Sequence, residues 1–166
     1  LRLGAHRAEG CAVALSQDGR LAAAGTADHR VLSWVVDHEG EPVRYTEHKD
    51  RVGGLAFSAD GEVLVSGGWD GQVVRRQIGV ENGVTAFKTP DTGVTSVALS
   101  ADGARILAGC FDGSIRLWDA GSLDEVRAFE RHSGSVEAVT ITPDGLKAAS
   151  GGADGVVRLW KLPARK

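Results

Sequence analysis

The 166-residue sequence lacks several features that would assign it quickly to a class. It contains no methionine, even at position 1, which favours a piece of a longer chain over a chain that has lost its initiator. Its two cysteines, Cys11 and Cys110, form no CxxC pair and are too few for a disulfide framework. Zinc binding and secretion therefore gain no support, and we predict neither a cofactor nor a metal site.

The sequence also lacks long apolar runs and an excess of one charge. Its longest apolar stretches, such as residues 11–15, are far shorter than the roughly 20 residues that span a membrane. Nineteen basic residues stand against 22 acidic ones, and the formal net charge is −3. A general nucleic-acid binder would show a basic footprint that is absent here. We therefore predict partners that are neither membranes nor nucleic acids.

Glycine and regular spacing are what the sequence has in abundance. Its 23 glycines favour many tight turns over long helices. Asp-Gly pairs recur at intervals of 42 residues, at Asp18-Gly19, Asp60-Gly61, Asp102-Gly103 and Asp144-Gly145. A second aspartate follows each pair by ten residues, at Asp28, Asp70, Asp112 and Asp154. An internal period of this length indicates a repeat architecture.

The segments between these aspartates have the length and composition of strands. Asp-Gly between short apolar runs is a hairpin signal, because both residues tolerate the positive φ that strand twist demands. Each unit holds three such runs and a fourth, less regular one, clearest at residues 126–129. The pattern predicts an all-β propeller blade per unit. The glycine-rich runs 67–71 and 151–155 are similar to calcium-binding nonapeptide repeats, but those recur every nine residues, which disfavours a solenoid and calcium.

The chain resembles the WD40 family over essentially its whole length. The fourth unit carries the match from His132 through the run 150–155 to Trp160, and the third carries the dipeptide Trp118-Asp119. The glycine that often precedes the repeat's histidine is missing. The resemblance implies a β-propeller of four blades, each of four antiparallel strands, that forms part of a larger ring. Repeats are placed at about 6–47, 48–89, 90–131 and 132–166, with residues 1–4 as a closing outer strand.

The resemblance also implies a hydrogen-bonded tetrad of histidine, serine or threonine, aspartate and tryptophan within a blade. The fourth blade supplies a complete set, which consists of His132, Ser150, Asp154 and Trp160. Each of the other blades departs from it: Ala24 replaces the hydroxyl residue in the first, Arg76 replaces tryptophan in the second, and Pro90 and Ala108 replace two members in the third. These residues are predicted to be scaffold, without a chemical role.

Three ring arrangements stay open at this point. The chain is the C-terminal part of a larger propeller, or two copies join into an eight-bladed ring, or four blades close alone. The first is favoured and the two-copy homodimer ranks second, because an open array would expose apolar faces and strand edges.

Family resemblance places partner contacts just before the second aspartate and three and five residues after the histidine. Trp69 and Phe111 stand out there, in equivalent loops of adjacent blades, with Arg51 and Thr95 as further candidates. An exposed aromatic pair beside an arginine is typical of an interface hot spot. The alternative interpretation is that each ring merely covers a neighbouring blade, since single exposed apolar residues are common.

Catalytic motifs are absent from the sequence. It contains no HExxH, GxSxG, Walker loop, GxGxxG or EF-hand loop. We therefore expect a non-enzymatic scaffold that binds proteins. The alternatives are an enzymatic or ligand-binding propeller whose site lies in blades outside this chain, and a structural unit that assembles with itself through open blade edges.

Overall fold

Each Asp-Gly pair closes a hairpin in the computed structural model, which describes residues 9–38, 40–90 and 92–164. Gly61 has a φ of 73°, in the left-handed region that favours glycine. The Ser58 hydroxyl donates to Asp60 Oδ1 over 2.5 Å, and that oxygen accepts the backbone N–H of Glu62 at 2.9 Å. The same turn recurs 42 residues apart, with Ser16, Ser100 and Thr142 as the hydroxyl donors to Asp18, Asp102 and Asp144.

Fifteen strands and no helix form the described part of the chain, which confirms the prediction of an all-β fold. Blade 1 holds β1 (Gly10–Leu15), β2 (Leu21–Thr26), β3 (Val31–Val35) and β4 (Val43–Tyr45). Blade 2 holds β5 (Val52–Phe57), β6 (Val63–Gly68), β7 (Gln72–Gln77) and β8 (Val84–Lys88). Blade 3 holds β9 (Val94–Leu99), β10 (Arg105–Cys110), β11 (Ile115–Asp119) and β12 (Glu125–Ala128). Blade 4 holds β13 (Val136–Ile141), β14 (Lys147–Gly152) and β15 (Val157–Lys161).

The sheets follow chain order, and every neighbouring pair of strands is antiparallel. Blades 1 to 3 have the four strands that were predicted, whereas blade 4 has three among the described residues. Among the described residues, β15 of blade 4 pairs with β14, and no strand is described beside its outer edge. The closing strand predicted at residues 1–4 lies outside the described residues. No helix in the described part of the chain is long and apolar enough to cross a membrane.

Three apolar clusters form the core, and each lies between consecutive blades, at an interface that we call a seam. In the seam between blades 3 and 4, Ile115 and Leu117 of β11 share a cluster with Val136 of β13. Equivalent clusters join Val31 to Val52 and Leu55, and Val73 to Val94 and Val97. All of these side chains are at least nine-tenths buried. Burial of apolar surface is the main favourable term in folding, so the seams hold the blades together.

Glycine in the second strand of a blade lets the next blade approach closely. A Cβ atom on Gly109 of β10 would lie 2.3 Å from Val136 Cγ1, closer than side chains pack. In the same way, a Cβ atom on Gly67 would lie 2.4 Å from Val94 Cγ1, and a Cβ atom on Gly25 would lie 2.6 Å from Val52 Cγ1. The valine of each new blade therefore sits where a side chain on the previous blade would be.

Gly109→Ala is expected to destabilise the chain by about 2 kcal/mol, because overpacking a full core typically costs about 1–3 kcal/mol. The measurement is urea unfolding followed by tryptophan fluorescence. Gly40→Ala is the control, since nothing lies within 4 Å of a Cβ at that position and its φ is ordinary. Equal stabilities of the two variants would contradict the close approach at the seam.

Candidate protein-binding surface

The loops that precede the second aspartate of each repeat lie on one side of the array, which we call the binding face. The backbone N–H of Trp69 donates to the carbonyl of Arg51 over 2.8 Å, and that of Phe111 donates to the carbonyl of Gly93 over 3.0 Å. The same bond joins Ala27 to Glu9 and Ala153 to Ser135. Partner contacts were predicted just before the aspartate and three residues after the histidine position. These backbone bonds bring the two positions together in all four blades.

Trp69 and Phe111 form an edge-to-face pair across the seam between blades 2 and 3. Their ring centroids are 4.8 Å apart at an interplanar angle of 76°, a favourable geometry for aromatic rings. Trp69 is 39% exposed and Phe111 is 42% exposed. Gly93 makes room for them, because a Cβ there would lie 2.9 Å from Phe111 Cδ2 and 2.7 Å from the Trp69 carbonyl oxygen. The two rings cover each other in part and still present large apolar surfaces to solvent.

Arg51 extends this aromatic pair into a cluster of three residues. Its guanidinium carbon lies 5.1 Å from the Trp69 ring centroid, within the range of a cation–π contact. Its Nη2 atom lies 2.7 Å from Glu9 Oε1, so the arginine also ties blade 2 to blade 1. We name Arg51, Trp69 and Phe111 the aromatic cluster.

A cleft of about 340 Å³ opens beside Trp69. Its walls come from the β6–β7 loop and from the segment that leads into β9, and they comprise Trp69, Asp70, Gly71, Lys88, Thr89, Thr92 and Gly93. Thr89 is buried and its hydroxyl is 2.6 Å from the Thr92 carbonyl oxygen, which fixes the floor of the cleft. Lys88 and the two threonines were not predicted, since nothing in the sequence except their position before β9 marks them.

Thr95 is not part of the aromatic cluster. Its hydroxyl oxygen lies 2.5 Å from the Val136 carbonyl oxygen and 2.9 Å from the Gly109 carbonyl oxygen, in the seam between blades 3 and 4. The side chain is half-buried there and holds two blades together. Of the four predicted contact residues, the structure therefore brings three together and places the fourth in the scaffold.

The side chains of the blade 4 tetrad lie in one hydrogen-bonded chain. Trp160 Nε1–H donates to Ser150 Oγ over 2.9 Å, so the serine proton is available to His132 Nε2 at 2.8 Å. His132 Nδ1–H then donates to the Asp154 carboxylate, at 2.9 Å and 3.0 Å from its two oxygens. A buried polar network in which every member is paired makes a blade rigid.

The other blades replace missing tetrad members in different ways. In blade 2, Arg76 stands at the tryptophan position and forms an ion pair with Glu47. Its guanidinium carbon lies 4.1 Å from the centroid of the Tyr45 ring. In blade 3, Asp112 accepts from Ser114 at 2.6 Å and pairs with Arg131 at 3.1 Å. In both blades, the charged side chain at the tetrad therefore has a partner of opposite charge.

Blade 1 differs from blade 4 at the same place. Trp34 Nε1 is buried and has no acceptor among the described residues. Ala24 occupies the position at which Ser150 accepts from Trp160 in blade 4, so the expected acceptor is missing from the sequence. Ala24 thus cannot accept from Trp34 as Ser150 accepts from Trp160 in blade 4.

Ser150→Ala is expected to destabilise the chain by about 2–4 kcal/mol, because it leaves both Trp160 Nε1 and His132 Nε2 without a partner. Ser66→Ala in blade 2 is the matched control, since among the described residues the hydrogen bond of Ser66 Oγ is to His48 Nε2, at 2.8 Å. Ser66→Ala is expected to destabilise the chain by about half as much as Ser150→Ala. Equal losses in urea unfolding would show that the tryptophan bond contributes nothing.

The tetrad aspartate is also the most perturbed acid of the binding face. Desolvation raises its pKa, but the bonds from His132 and from the backbone N–H groups of Val156 and Ser133 outweigh this and lower the pKa of Asp154 to about 2, from an ordinary 3.8. A carboxyl with a lowered folded-state pKa stabilises the fold above its unfolded pKa, and this contribution is lost as the pH falls through the folded value.

Asp154→Asn is therefore expected to be less stable than the parent chain at pH 6 and to approach it as the pH falls from about 4 to about 2. Urea midpoints at pH 6, 4 and 3 provide the measurement. Asp124→Asn, in the exposed segment before β12, serves as the control for the removal of a carboxylate. A constant difference between Asp154→Asn and the parent at all three pH values would contradict the assignment.

Cys110 does not have the properties of a reactive thiol. It is fully buried in the core between blades 2 and 3, and burial raises the pKa of its thiol to about 11. Cysteine reacts as the thiolate, which is scarce at neutral pH when the pKa is this high. In the part of the chain that the structure covers, no three His, Cys, Asp or Glu side chains are grouped as a metal site requires.

The fold and this arrangement of loops define a propeller-type array of antiparallel blades. A model of the WD domain, G-beta repeat family matches residues 40–74, 82–119 and 123–161, which together make up more than half of the sequence. The chain belongs to the WD40-repeat family. Each match begins just before an outer strand and continues into the third strand of the next blade, whereas β1–β3 lie outside the matched ranges. A comparison with curated proteins returns no significant match.

Proposed function

We propose that the chain is a non-enzymatic scaffold that binds protein partners through the aromatic cluster and the cleft beside it. WD40 repeats generally mediate interactions between proteins, and the chain belongs to that family. The observation that carries the proposal is the edge-to-face pair of Trp69 and Phe111, which stays about two-fifths exposed although each ring has a partner. Tryptophan and arginine are among the residues most enriched at binding hot spots.

The aromatic cluster is held in place before any partner arrives. Backbone bonds fix both loops, Gly93 lies directly beneath the rings, and Arg51 is anchored to Glu9. Side chains that are already ordered lose little conformational entropy on binding, so more of the contact energy appears as affinity. The neighbouring cleft of about 340 Å³ has room for a side chain of the partner next to the Trp69 ring.

A catalytic alternative finds less support within this chain. The inner strands β5 and β9 carry no ionisable side chain, and Glu137 of the inner strand β13 accepts a hydrogen bond from Ser135. Acid–base and nucleophilic chemistry both require such groups. We assign no catalytic residue, and an enzymatic role would have to come from blades outside this sequence.

Trp69→Ala together with Phe111→Ala is expected to abolish capture of partners and to leave the fold intact. The immobilised chain is incubated with extract of its source organism, and retained proteins are quantified by mass spectrometry. Leu146→Ala is the matched control, because Leu146 is also exposed (46%) but lies in a β13–β14 turn away from the aromatic cluster. Proteins held by the parent and by the control should be lost from the double variant, each by at least tenfold.

Two results would contradict this proposal. One is an unchanged set of retained proteins in the double variant, which would remove the aromatic cluster from the interface. The other is loss of the far-ultraviolet circular dichroism of the β-sheets in the double variant, which would show that the rings are needed for packing between blades 2 and 3.

A further inference from the structure

The face opposite the binding face carries the Asp-Gly turns and the loops between the third and fourth strands. Because consecutive strands are antiparallel, these connections lie at the strand ends away from the aromatic cluster. In blade 1, the backbone N–H of Val36 donates to the carbonyl of Arg20 over 2.8 Å. In blade 2, the N–H of Ile78 donates to the carbonyl of Glu62 over 2.7 Å. Each loop is thus fixed to the turn of its own blade.

A cleft of about 480 Å³ opens between blades 1 and 2, toward this opposite face and the outer strands. Val35 of β3 and Val43 of β4 line one wall, and Val80 of the β7–β8 loop lines the other. These side chains are 52%, 56% and 45% exposed. Both walls belong to neighbouring blades inside the array, so the cleft does not depend on what adjoins either end. We name it the rim cleft.

The polar side chains of the rim cleft are already held in place. The hydroxyl oxygens of Ser33 and Tyr45 are 3.1 Å apart, and the Arg76 guanidinium carbon lies 4.1 Å from the Tyr45 ring centroid. Arg76 is the one cation among the residues that line the cleft, and it forms an ion pair with Glu47. An occupant therefore meets ordered apolar walls and no free positive charge, and little ordering of the walls opposes its binding.

Carboxylates stand around the mouth of the rim cleft. Glu81 is one of its lining residues, and Glu62 belongs to the turn to which the same wall is bonded. Asp37 lies two residues beyond the end of β3, whose last residue lines the other wall. Three acidic side chains therefore come from both sides of one apolar opening.

Asp60 adds a fourth carboxylate at the same place. Its neighbour Gly61 lies beside a lining residue of the cleft, since a Cβ at Gly61 would be 3.8 Å from Leu21 Cδ1. Hydrogen bonds from the Ser58 hydroxyl and from the N–H of Glu62 lower the pKa of Asp60, so this group stays ionised at neutral pH.

These carboxylates are not neutralised by the protein's own cations. Within the part of the chain that the structure describes, none of the four has an ion-pair partner. The nearby cations are already engaged, because Arg20 pairs with Asp18 at 3.6 Å and Arg44 pairs with Glu41 at 2.9 Å. The opening thus combines exposed apolar side chains with uncompensated negative charge.

We propose that the rim cleft binds a basic segment of another protein, which inserts an apolar side chain between Val43 and Val80 and places lysine or arginine side chains against the carboxylates. The apolar side chain supplies affinity as it leaves water, and the opposite charges orient the segment. Nucleic acids and anionic membranes carry the same sign of charge as the mouth of the cleft, which disfavours them as occupants.

This surface lies on the face opposite the aromatic cluster, so one chain has room for two partners at once. The inference does not rest on the function proposed for the aromatic cluster, and different variants test the two.

A short fluorescent peptide with one leucine between pairs of lysines, in a background of glycine and serine, tests the proposal. Its anisotropy on titration with the 166-residue chain should show saturable binding that weakens as salt is added, because salt screens exposed charges. Exchange of the lysines for glutamates should abolish binding. Exchange of the leucine for serine should weaken binding by about tenfold, since the anchor is lost.

Two substitutions in the chain separate charge from apolar contact. Glu81→Lys should weaken binding of the peptide by about tenfold, because repulsion replaces attraction. Glu130→Lys, in the exposed segment between β12 and β13, changes the net charge equally and should bind as the parent does. Val80→Ser should also weaken binding, whereas Val126→Ser, at a valine of equal exposure (44%) on β12, should not. Circular dichroism verifies the fold of each variant.

Four outcomes would overturn the proposal. One is the absence of saturable binding by the parent chain. A second is equal binding of the leucine and serine peptides, which shows attraction by charge alone. A third is unchanged binding by both Glu81→Lys and Val80→Ser, with these variants folded. The fourth is loss of binding in the folded double variant Trp69→Ala with Phe111→Ala, which places the peptide on the aromatic cluster; the proposal expects this variant to bind the peptide as the parent does.

Discussion

The contact between a valine of one blade and a glycine of the previous blade determines how the whole array is built. A side chain on Gly67 would lie 2.4 Å from Val94, so the two sheets can approach only where the Cβ is missing. This close approach brings the first and third strands of consecutive blades together and buries their apolar side chains. Because the seam fixes one blade relative to the next, it also fixes the loops at the sheet ends, and with them the distance between Trp69 and Phe111.

The polar networks at the ends of the sheets vary much more than the seams do. Blade 4 has a full chain of four hydrogen-bonded side chains, blade 2 exchanges tryptophan for an arginine that pairs with Glu47, and blade 1 leaves Trp34 Nε1 without an acceptor among the described residues. Such variation is tolerated because a lost polar contact costs a few kcal/mol at one site, whereas a disrupted seam would separate two sheets. The repeats therefore agree most closely at their glycines and turn aspartates.

The sequence contained enough information to predict the all-β fold and the strand pattern, because hairpin turns and apolar runs recur with a fixed period. It also placed Trp69, Phe111 and Arg51 in neighbouring loops, which the structure brings together. It did not predict that Thr95 is held in a seam, because its bonds to the Val136 and Gly109 carbonyls depend on the approach of another blade. Nor did it explain Gly68 and Gly152. A Cβ on Gly152 would lie 2.5 Å from His132 Nδ1, and the first and third repeats carry Thr26 and Cys110 at this position. The close contact between this glycine and the histidine ring becomes apparent only in the structure.

Together with Glu9, the aromatic cluster extends over blades 1 to 3, so the seams determine the shape of the proposed binding surface. Glu9, Arg51, Trp69 and Phe111 form a continuous series of contacts, and each step crosses from one blade to the next or stays within one loop pair. A partner bound to the rings would therefore contact several blades at once and would stabilise the seams beneath them, since a ligand that binds only the folded arrangement shifts the equilibrium toward it. Rigid seams would thus favour affinity for a partner at the proposed binding surface. A change that loosens the seam between blades 2 and 3 would also move Phe111 away from Trp69 and divide that surface.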